Sequence, residues 1–233
     1  MPETFQLPLV FDLAGVFLFA LTGGWLALGR GYDFVGVFAL ALVSGVGGAL
    51  LRDGVFLQAG TPAVLQDATY LLIVIAATVA AVLTYRPGGY FERTFLAADA
   101  LGLGAYTVVG MAKSLAHGLG PVPAVLVGVS NAVGGGMIRD LLTGQEPLIF
   151  KPGQFYALAA LGGAITFVVL QNVLRIPTDA TAVATITVTF ALRMLGVAFD
   201  WRTSSMEHWS LLARIRSKRD DEPEAPGTRD PQG

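Results

Sequence analysis

The sequence predicts an all-α, polytopic membrane protein with seven transmembrane helices, arranged as two inverted three-helix repeats plus a seventh helix. Three observations lead to this fold class. Hydrophobic residues make up 54% of the chain and charged residues only 14%, against about 25% charged residues in an average soluble domain. The apolar residues fall in long blocks, and a glycine-rich motif that ends in Arg-Asp occurs twice. Such a composition lacks the charged surface of a soluble domain, so lipid is the predicted solvent.

Seven blocks approach the length of about 20 apolar residues that a helix needs to cross the hydrocarbon core. They span residues 9–28, 34–51, 68–85, 95–112, 122–138, 155–174 and 180–199. Backbone groups in lipid must be satisfied internally, and the alternation typical of barrel strands is missing from the sequence, so each block is predicted to be helical. The connections are too short for a soluble catalytic domain. We therefore predict that the protein is not an enzyme.

The predicted domain organisation is a transmembrane channel domain over residues 1–201 and a cytoplasmic tail over residues 202–233. The end of the tail is rich in Pro, Asp, Glu and Arg and is predicted to be partly disordered. Lys and Arg in short loops favour the cytoplasmic side. With the C-terminus in the cytoplasm, Arg30, Arg86 and Lys151 lie inside. We predict a multi-pass protein of the cell inner membrane with its N-terminus outside.

An internal duplication is the most informative feature of the sequence. The motif Gly-Gly-Ala-Leu-Leu-Arg-Asp at 47–53 matches Gly-Gly-Gly-Met-Ile-Arg-Asp at 134–140, with an offset of 87 residues (139 − 52). The same offset relates Asp12 to Asp99. The repeats span about 9–85 and 95–174, and the seventh helix spans about 180–199. Because each repeat has an odd number of spans, the second copy is predicted to be inverted, with a solute path between the copies.

Two glycine clusters are predicted to kink helices beside that path. They consist of Gly45, Gly47 and Gly48 in the second span, and Gly134, Gly135 and Gly136 in the fifth. Each glycine costs a helix about 1 kcal/mol relative to alanine, and broken helices are tolerated at membrane depth where they line a wet cavity. The alternative is that these glycines allow close packing between helices.

Charged residues near the ends of the spans are candidates for lining or gating the path. They are Asp12, Arg52, Asp53, Asp99, Lys113, Arg139, Asp140 and Arg193. Adjacent residues on a helix do not face each other, so each motif arginine is expected to need a partner other than the next aspartate. The inverted arrangement then predicts the pairs Asp12–Arg52 and Asp99–Arg139, one at each end of the path. The alternative is that the arginines anchor helix ends by reaching the headgroups.

Two of these charged residues and two polar residues have two interpretations each. Arg193 lies within the seventh span, where an intramembrane arginine indicates function, although it is close enough to the end to reach the interface. Lys113 either acts as a gate or sets the electric field at the pore mouth, or it anchors the end of its helix. Ser44 and Asn131 occupy equivalent repeat positions (131 − 44 = 87) and are candidates for pore-facing contacts or for hydrogen bonds between helices.

The doubled motif resembles that of prokaryotic TRIC-type trimeric intracellular cation channels, over about residues 9–201. The resemblance implies a homotrimer in membrane lipids with one pore per protomer, between the two repeats, selective for monovalent cations such as potassium. It also assigns a role in the pore kinks to Gly47, Gly48 and the cluster at 134–136. The first motif departs from this pattern at Ala49, which predicts a weaker kink in span two.

Three functions are compared on these observations. The first is a passive, potassium-permeable cation channel. The second is a secondary transporter of a small solute such as glycine, because domains of this type are also described as glycine-transporter-like. The third is a membrane scaffold without transport. No cofactor, bound metal or nucleic-acid partner is expected, since the chain contains no cysteine, only two histidines and no phosphate-binding motif.

Overall fold

A computed structural model describes residues 9–58, 60–86, 88–151 and 155–201. The helices are α1 (Leu9–Gly29), α2 (Phe34–Leu50), α3 (Ala63–Gln66), α4 (Ala68–Thr84), α5 (Gly89–Ala116), α6 (Pro121–Leu142), α7 (Tyr156–Val168) and α8 (Thr178–Ala198). π-Helical segments, Leu51–Phe56 and Val169–Val173, continue α2 and α7. The described residues contain no strand, which confirms the predicted all-α fold class. The predicted tail, 202–233, lies outside the described residues.

Each of the seven predicted blocks corresponds to one helix, and six of these helices are long and apolar enough to cross a membrane when the π-helical segments are counted with α2 and α7. The remaining one, α4, has 17 residues. At 1.5 Å per residue it rises about 25 Å, somewhat less than the hydrocarbon core of about 30 Å. That α4 spans the bilayer therefore stays a prediction. The block predicted at 95–112 belongs to a helix of 28 residues, because the helix continues beyond its apolar part through Glu92.

The helix ends follow from local chemistry. The carboxylates of Asp33 and Asp67 cap α2 and α4 by accepting hydrogen bonds from the backbone N–H groups of Gly36 and Thr69, both at 2.8 Å. Beyond α5, Gly118 has a φ of 81°, a left-handed conformation that glycine adopts without a Cβ clash.

Contacts between α1 and α5 show that the repeats are inverted. A Cβ on Gly15 would overlap the ring of Tyr106, and a Cβ on Gly102 would lie 3.2 Å from the ring of Phe19. These two contacts are copies of each other, because positions 15 and 102, and positions 19 and 106, differ by the repeat offset. Phe19 and Tyr106 themselves stack with their ring centroids 5.2 Å apart. The equivalent helices of the two repeats thus lie antiparallel about a local pseudo-two-fold axis.

The crossing of α2 and α6 obeys the same symmetry. A Cβ on Gly48 would overlap the carbonyl oxygen of Asn131, and a Cβ on Gly135 would overlap the carbonyl oxygen of Ser44. Contacts with backbone atoms of a partner helix cannot be relieved by a rotamer change. The paired glycines therefore set how closely α2 and α6 approach each other.

Both glycine clusters remain α-helical, so the hydrogen-bonding break expected at the glycines does not occur there. The α-helical pattern of α2 runs to Leu50, past its cluster, and that of α6 runs to Leu142. In the first repeat the pattern changes to π-helix at Leu51. The physical reason is that each cluster is supported by a tightly packed neighbouring helix. The structure thus gives these glycines the packing role, and a pore kink at them stays a prediction.

Helix α8, which lies outside the repeats, packs against the second repeat through small residues. A Cβ on Gly104 of α5 would lie 3.0 Å from the backbone of Ile186, and one on Gly163 of α7 would overlap the hydroxyl of Thr189. This packing buries one face of α8, which carries Arg193.

Candidate functional site

Two groups of charged side chains, all buried except Lys113, lie at opposite ends of the interface between the repeats. We call Asp12, Arg52, Asp53 and Lys113 the first charge cluster, and Asp99, Arg139 and Asp140 the second charge cluster. The start of α1, the π-helical segment after α2 and the end of α5 form the first cluster. The second is formed by the end of α6 and an inner turn of α5. Buried charges of this kind in a membrane protein are expensive unless they are paired, and they mark ion or substrate pathways.

The guanidinium of Arg52 is the centre of the first charge cluster. Its Nε and Nη2 donate to Oδ1 and Oδ2 of Asp53 at 2.6 and 2.9 Å, a bidentate pair. Its Nη1 lies 3.9 Å from Oδ1 of Asp12 and donates to Oδ1 of Asn131 at 3.4 Å. The side chain is 0% exposed, so Arg52 is held within the protein.

Lys113 joins the first charge cluster to the protein surface. Its Nζ lies 3.2 Å from Oδ2 of Asp12 and 3.8 Å from Oδ2 of Asp53. The side chain is 29% exposed, whereas the other members of the cluster are buried. Lys113 is therefore an ion-pair partner and also the one member that solvent ions or headgroups can reach directly.

The hydroxyl of Tyr70 donates to Oδ2 of Asp12 at 2.8 Å. Hydrogen bonds to charged groups contribute about 1.5–3 kcal/mol. We expect Tyr70→Phe to lower the free energy of unfolding by about 2 kcal/mol, because the carboxylate loses a donor in a buried site. Denaturant titration of the protein in micelles measures this value. The exposed Tyr32, replaced in the same way, is the control, and equal effects of the two substitutions would contradict the assignment.

The second charge cluster is the more completely buried of the two. Nη1 of Arg139 donates to Oδ1 of Asp99 at 2.9 Å and to Oγ1 of Thr22 at 3.0 Å, and its Nε donates to Oδ1 of Asp140 at 3.0 Å. The guanidinium also lies over the ring of Phe95, with Cζ 5.3 Å from the centroid. The cation of Arg139 is thus neutralised by two carboxylates and contacts an aromatic face.

The aspartate of each Arg-Asp motif also anchors the loop that follows it. Oδ2 of Asp53 accepts from the backbone N–H of Ala63, and Oδ2 of Asp140 accepts from that of Leu148, both at 3.4 Å. The two loops are therefore tied to the ends of the repeat interface by equivalent residues.

The structure contains both ion pairs that the inverted repeat predicts, Asp12–Arg52 and Asp99–Arg139. The expectation that each arginine would not pair with the next aspartate is wrong. The rule for adjacent residues describes Cβ directions, and the long arginine side chain folds back far enough for its guanidinium to meet the neighbouring carboxylate. Because Arg139 is only 1% exposed, headgroup anchoring does not describe it either.

Ser44 and Asn131 lie buried at the α2–α6 crossing, Asn131 on the side of the first charge cluster and Ser44 on the side of the second. The amide Nδ2 of Asn131 donates to the carbonyl oxygen of Tyr106 at 2.6 Å, and its Oδ1 accepts from Arg52. The hydroxyl of Ser44 has no hydrogen-bond partner among the described residues. Asn131 thus makes the interhelical hydrogen bond that was one of its two interpretations.

The structure places Arg193 beside the second charge cluster. Its Cζ lies 5.2 Å from the centroid of Tyr156, and the Tyr156 hydroxyl would lie 2.8 Å from a Cβ on Gly136. Arg193 is buried, so it does not reach the interface.

Tyrosines are the members of the site that the sequence reasoning missed. Tyr70 and Tyr156 contact the charged residues, and the Tyr106 hydroxyl donates to the carbonyl oxygen of Gly45. The available signal was the position of a polar aromatic residue inside an apolar block. The repeat offset gave no help for Tyr70, because its equivalent position is Ala157.

Together, the antiparallel repeats and the paired buried charges define a class: polytopic α-helical membrane proteins built from two inverted three-helix repeats. Comparison with known proteins gives the family. The chain belongs to the family described as "Glycine transporter", whose model matches residues 9–86 and 96–172, the two repeats in turn.

Relatives in the family are membrane proteins. A UPF0126 membrane protein of Deinococcus radiodurans is 36% identical over 154 residues, which is 66% of this chain and 71% of the relative. The UPF0126 inner membrane protein YadS of Escherichia coli K12 is 29% identical over 187 residues, 80% of this chain and 89% of the relative.

Two solved structures with the same fold are described as TRIC cation channels. The TRIC trimeric intracellular cation channel orthologue from Rhodobacter sphaeroides is 32% identical, with a TM-score of 0.76, covering 82% of this chain and 97% of the orthologue. A second TRIC cation channel is 29% identical, with a TM-score of 0.73 over 86% of this chain and 97% of that one. The predicted resemblance to prokaryotic TRIC-type channels is confirmed, and these matches agree with the prediction that the protein is not an enzyme.

Proposed function

We propose that the protein is a passive channel for monovalent cations, including potassium, with one pore between the two repeats of each protomer. The observation that carries the proposal is the pair of buried charge clusters, which the pseudo-two-fold axis places at the two ends of the repeat interface. The 32% identical orthologue is described as a cation channel, which supports the same function here.

The aspartates are the groups that would receive the cation. Each cluster contains two carboxylates, and the arginine between them holds both in fixed positions. A cation passing between the clusters meets carboxylate oxygens first and then the polar side chains of Ser44 and Asn131. In this role the arginines position the carboxylates and prevent a cation from binding too tightly to leave.

The α2–α6 crossing is the proposed gate. Gly48 and Gly135 allow backbone contact there, and Ser44 and Asn131 are fully buried. Ions cannot pass while the helices stay this close, so opening requires α2 and α6 to separate or bend. The predicted kinks at the glycine clusters, and the π-helical segment after α2, supply positions where bending would cost least.

Assembly and orientation belong to the same proposal. The protein forms a homotrimer in the lipids of the cell inner membrane, with its N-terminus outside and its C-terminus in the cytoplasm. The description of the orthologue as trimeric and of YadS as an inner membrane protein supports assembly and location. The bias of Lys and Arg in the loops supports the orientation.

A secondary transporter of a small zwitterion such as glycine is the second candidate. The family description favours it, and an arginine beside an aspartate matches the carboxylate and ammonium of an amino acid. Single-channel recording in planar bilayers with potassium and sodium gradients separates the two candidates. Unitary currents with a cation-directed reversal potential are expected. Silent bilayers together with saturable glycine uptake by proteoliposomes would support the carrier instead.

Removing the positive charge of Lys113 is expected to increase cation conductance. Lys113→Gln leaves the carboxylates of Asp12 and Asp53 at the entrance without a neutralising ammonium group. The concentration of cations at the entrance therefore rises. We expect about a two- to threefold higher potassium conductance at low ionic strength, falling to no difference near 1 M salt, where the Debye length is about 3 Å.

The control is Lys151→Gln, which removes a lysine from the loop between α6 and α7 instead of from the end of α5. Unchanged or reduced conductance in Lys113→Gln, or an increase that persists in 1 M salt, would show that Lys113 does not act through its field at the mouth.

A further inference from the structure

A lateral cleft lies between α2 and the α3–α4 segment, next to the first charge cluster but separate from the repeat interface. Its volume is about 540 Å³, within the range of small-molecule sites. Its walls and rim include Leu42, Val46, Val64, Leu71, Asp67 and Tyr70. Most of this lining is apolar, so the cleft suits a ligand with a hydrophobic body.

The charge of the lining also restricts the charge of the ligand. Asp67 is exposed, and its Oδ1 accepts a hydrogen bond from the backbone N–H of Thr69. Hydrogen bonds from Thr69 lower the pKa of Asp67, so the group stays ionised at neutral pH. Among the described residues that line the cleft there is no lysine or arginine. An anionic headgroup would therefore meet only a like charge at this rim.

From this geometry, we propose that the cleft binds hydrophobic organic cations, with the cationic centre at Asp67 and the apolar body between α2 and α4. Tyr70 connects the cleft to the charge cluster, because it belongs to the lining and its hydroxyl donates to Asp12. The site is thus positioned to influence the first charge cluster from outside the ion path. Binding itself does not depend on the proposed channel activity.

The test measures equilibrium binding of tetraphenylphosphonium to the full-length protein in phosphatidylcholine nanodiscs, with empty nanodiscs subtracted. Tetraphenylborate, which has the same shape and the opposite charge, is the matched probe. We expect saturable binding of the phosphonium and none of the borate. Asp67→Asn is expected to weaken binding about two- to fivefold, as for an exposed ion pair, while asparagine still caps α4.

Asp33→Asn is the matched control, because Asp33 caps α2 by accepting a backbone hydrogen bond of the same length, 2.8 Å, and lies outside the cleft. Val46→Trp is expected to abolish binding by filling the cleft, whereas Val82→Trp on the exposed face of α4 leaves it unchanged.

Three results would each overturn the proposal. The first is the absence of saturable phosphonium binding to the wild type, as expected if a lipid chain or a second copy of the chain fills the cleft. The second is equal affinity of the Asp67→Asn and Asp33→Asn variants, and the third is borate binding as tight as that of the phosphonium. All three results come from binding measurements that do not involve ion flux. Failure of the binding proposal can therefore be distinguished from failure of the channel proposal.

Discussion

Replacing Arg139 with methionine is expected to destabilise the protein by about 3–5 kcal/mol, a larger loss than is expected at Tyr70. The substitution keeps most of the side-chain volume but leaves the carboxylates of Asp99 and Asp140 buried without their cation. Both carboxylates accept from Arg139 at about 3 Å, and all three side chains are almost completely buried. Denaturant titration in micelles, followed by helical circular dichroism, measures the loss.

A second substitution tests whether the loss comes from the unpaired charge. Adding Asp99→Asn to Arg139→Met removes one uncompensated carboxylate, so part of the lost stability is expected to return. Arg30→Met, at an exposed position after α1, is the control and should change stability by no more than about 0.5 kcal/mol. If the double variant is no more stable than Arg139→Met alone, the buried pair is not the source of the effect.

Substituting alanine for Gly48 is expected to lower the free energy of unfolding by about 3 kcal/mol, measured by denaturant titration in micelles. The added methyl group would overlap the carbonyl oxygen of Asn131, a backbone atom that cannot move aside by rotation. Overpacking of this kind costs about 1–3 kcal/mol where side chains can adjust, and a backbone contact lies at the upper end. Because the contact has a symmetry-related copy, Gly135→Ala should give a similar loss through its overlap with Ser44.

Gly54→Ala is the matched control for both glycine substitutions. Gly54 lies in the π-helical segment after α2, and a Cβ there would meet no atom within 4 Å among the described residues. Its replacement is expected to be neutral or slightly stabilising, since alanine favours the helix by about 1 kcal/mol. Similar behaviour of Gly48→Ala and Gly54→Ala would contradict the close-packing role.

The arrangement of the repeats could be predicted because it follows from counting. One offset relates both Arg-Asp motifs and also Asp12 to Asp99, and an odd number of spans requires inversion. These facts alone predicted that each motif arginine pairs with the aspartate in the first helix of its own repeat. The start and length of α4 were also predicted to within one residue, since the block 68–85 corresponds to Ala68–Thr84. The extent of α5 could not be judged in the same way, because the block 95–112 covers only the apolar part of a helix that runs from Gly89 to Ala116.

The contacts within the charge clusters were harder to predict from the sequence. The pairing of Arg52 with Asp53 depends on arginine rotamers, which a rule about helix faces does not describe. The roles of Tyr70 and Tyr156 depend on which helix lies next to α1 and α6, and that is a tertiary contact. The glycine clusters gave two interpretations with the same sequence signal. Only the positions of the opposing carbonyl groups show that Gly48 and Gly135 allow α2 and α6 to pack closely.

The antiparallel crossing of α2 and α6 has a consequence for the origin of the chain. Because Gly48 meets Asn131 and Gly135 meets Ser44, the surface of one repeat fits a copy of itself turned upside down. A half-length ancestor could have buried this surface by dimerising with a molecule inserted in the opposite direction, and fusion of two genes would need no new contact. The copies are not identical in charge, because Lys113 of the first charge cluster is replaced by Leu26 under the repeat offset, so the two ends of the repeat interface differ electrically.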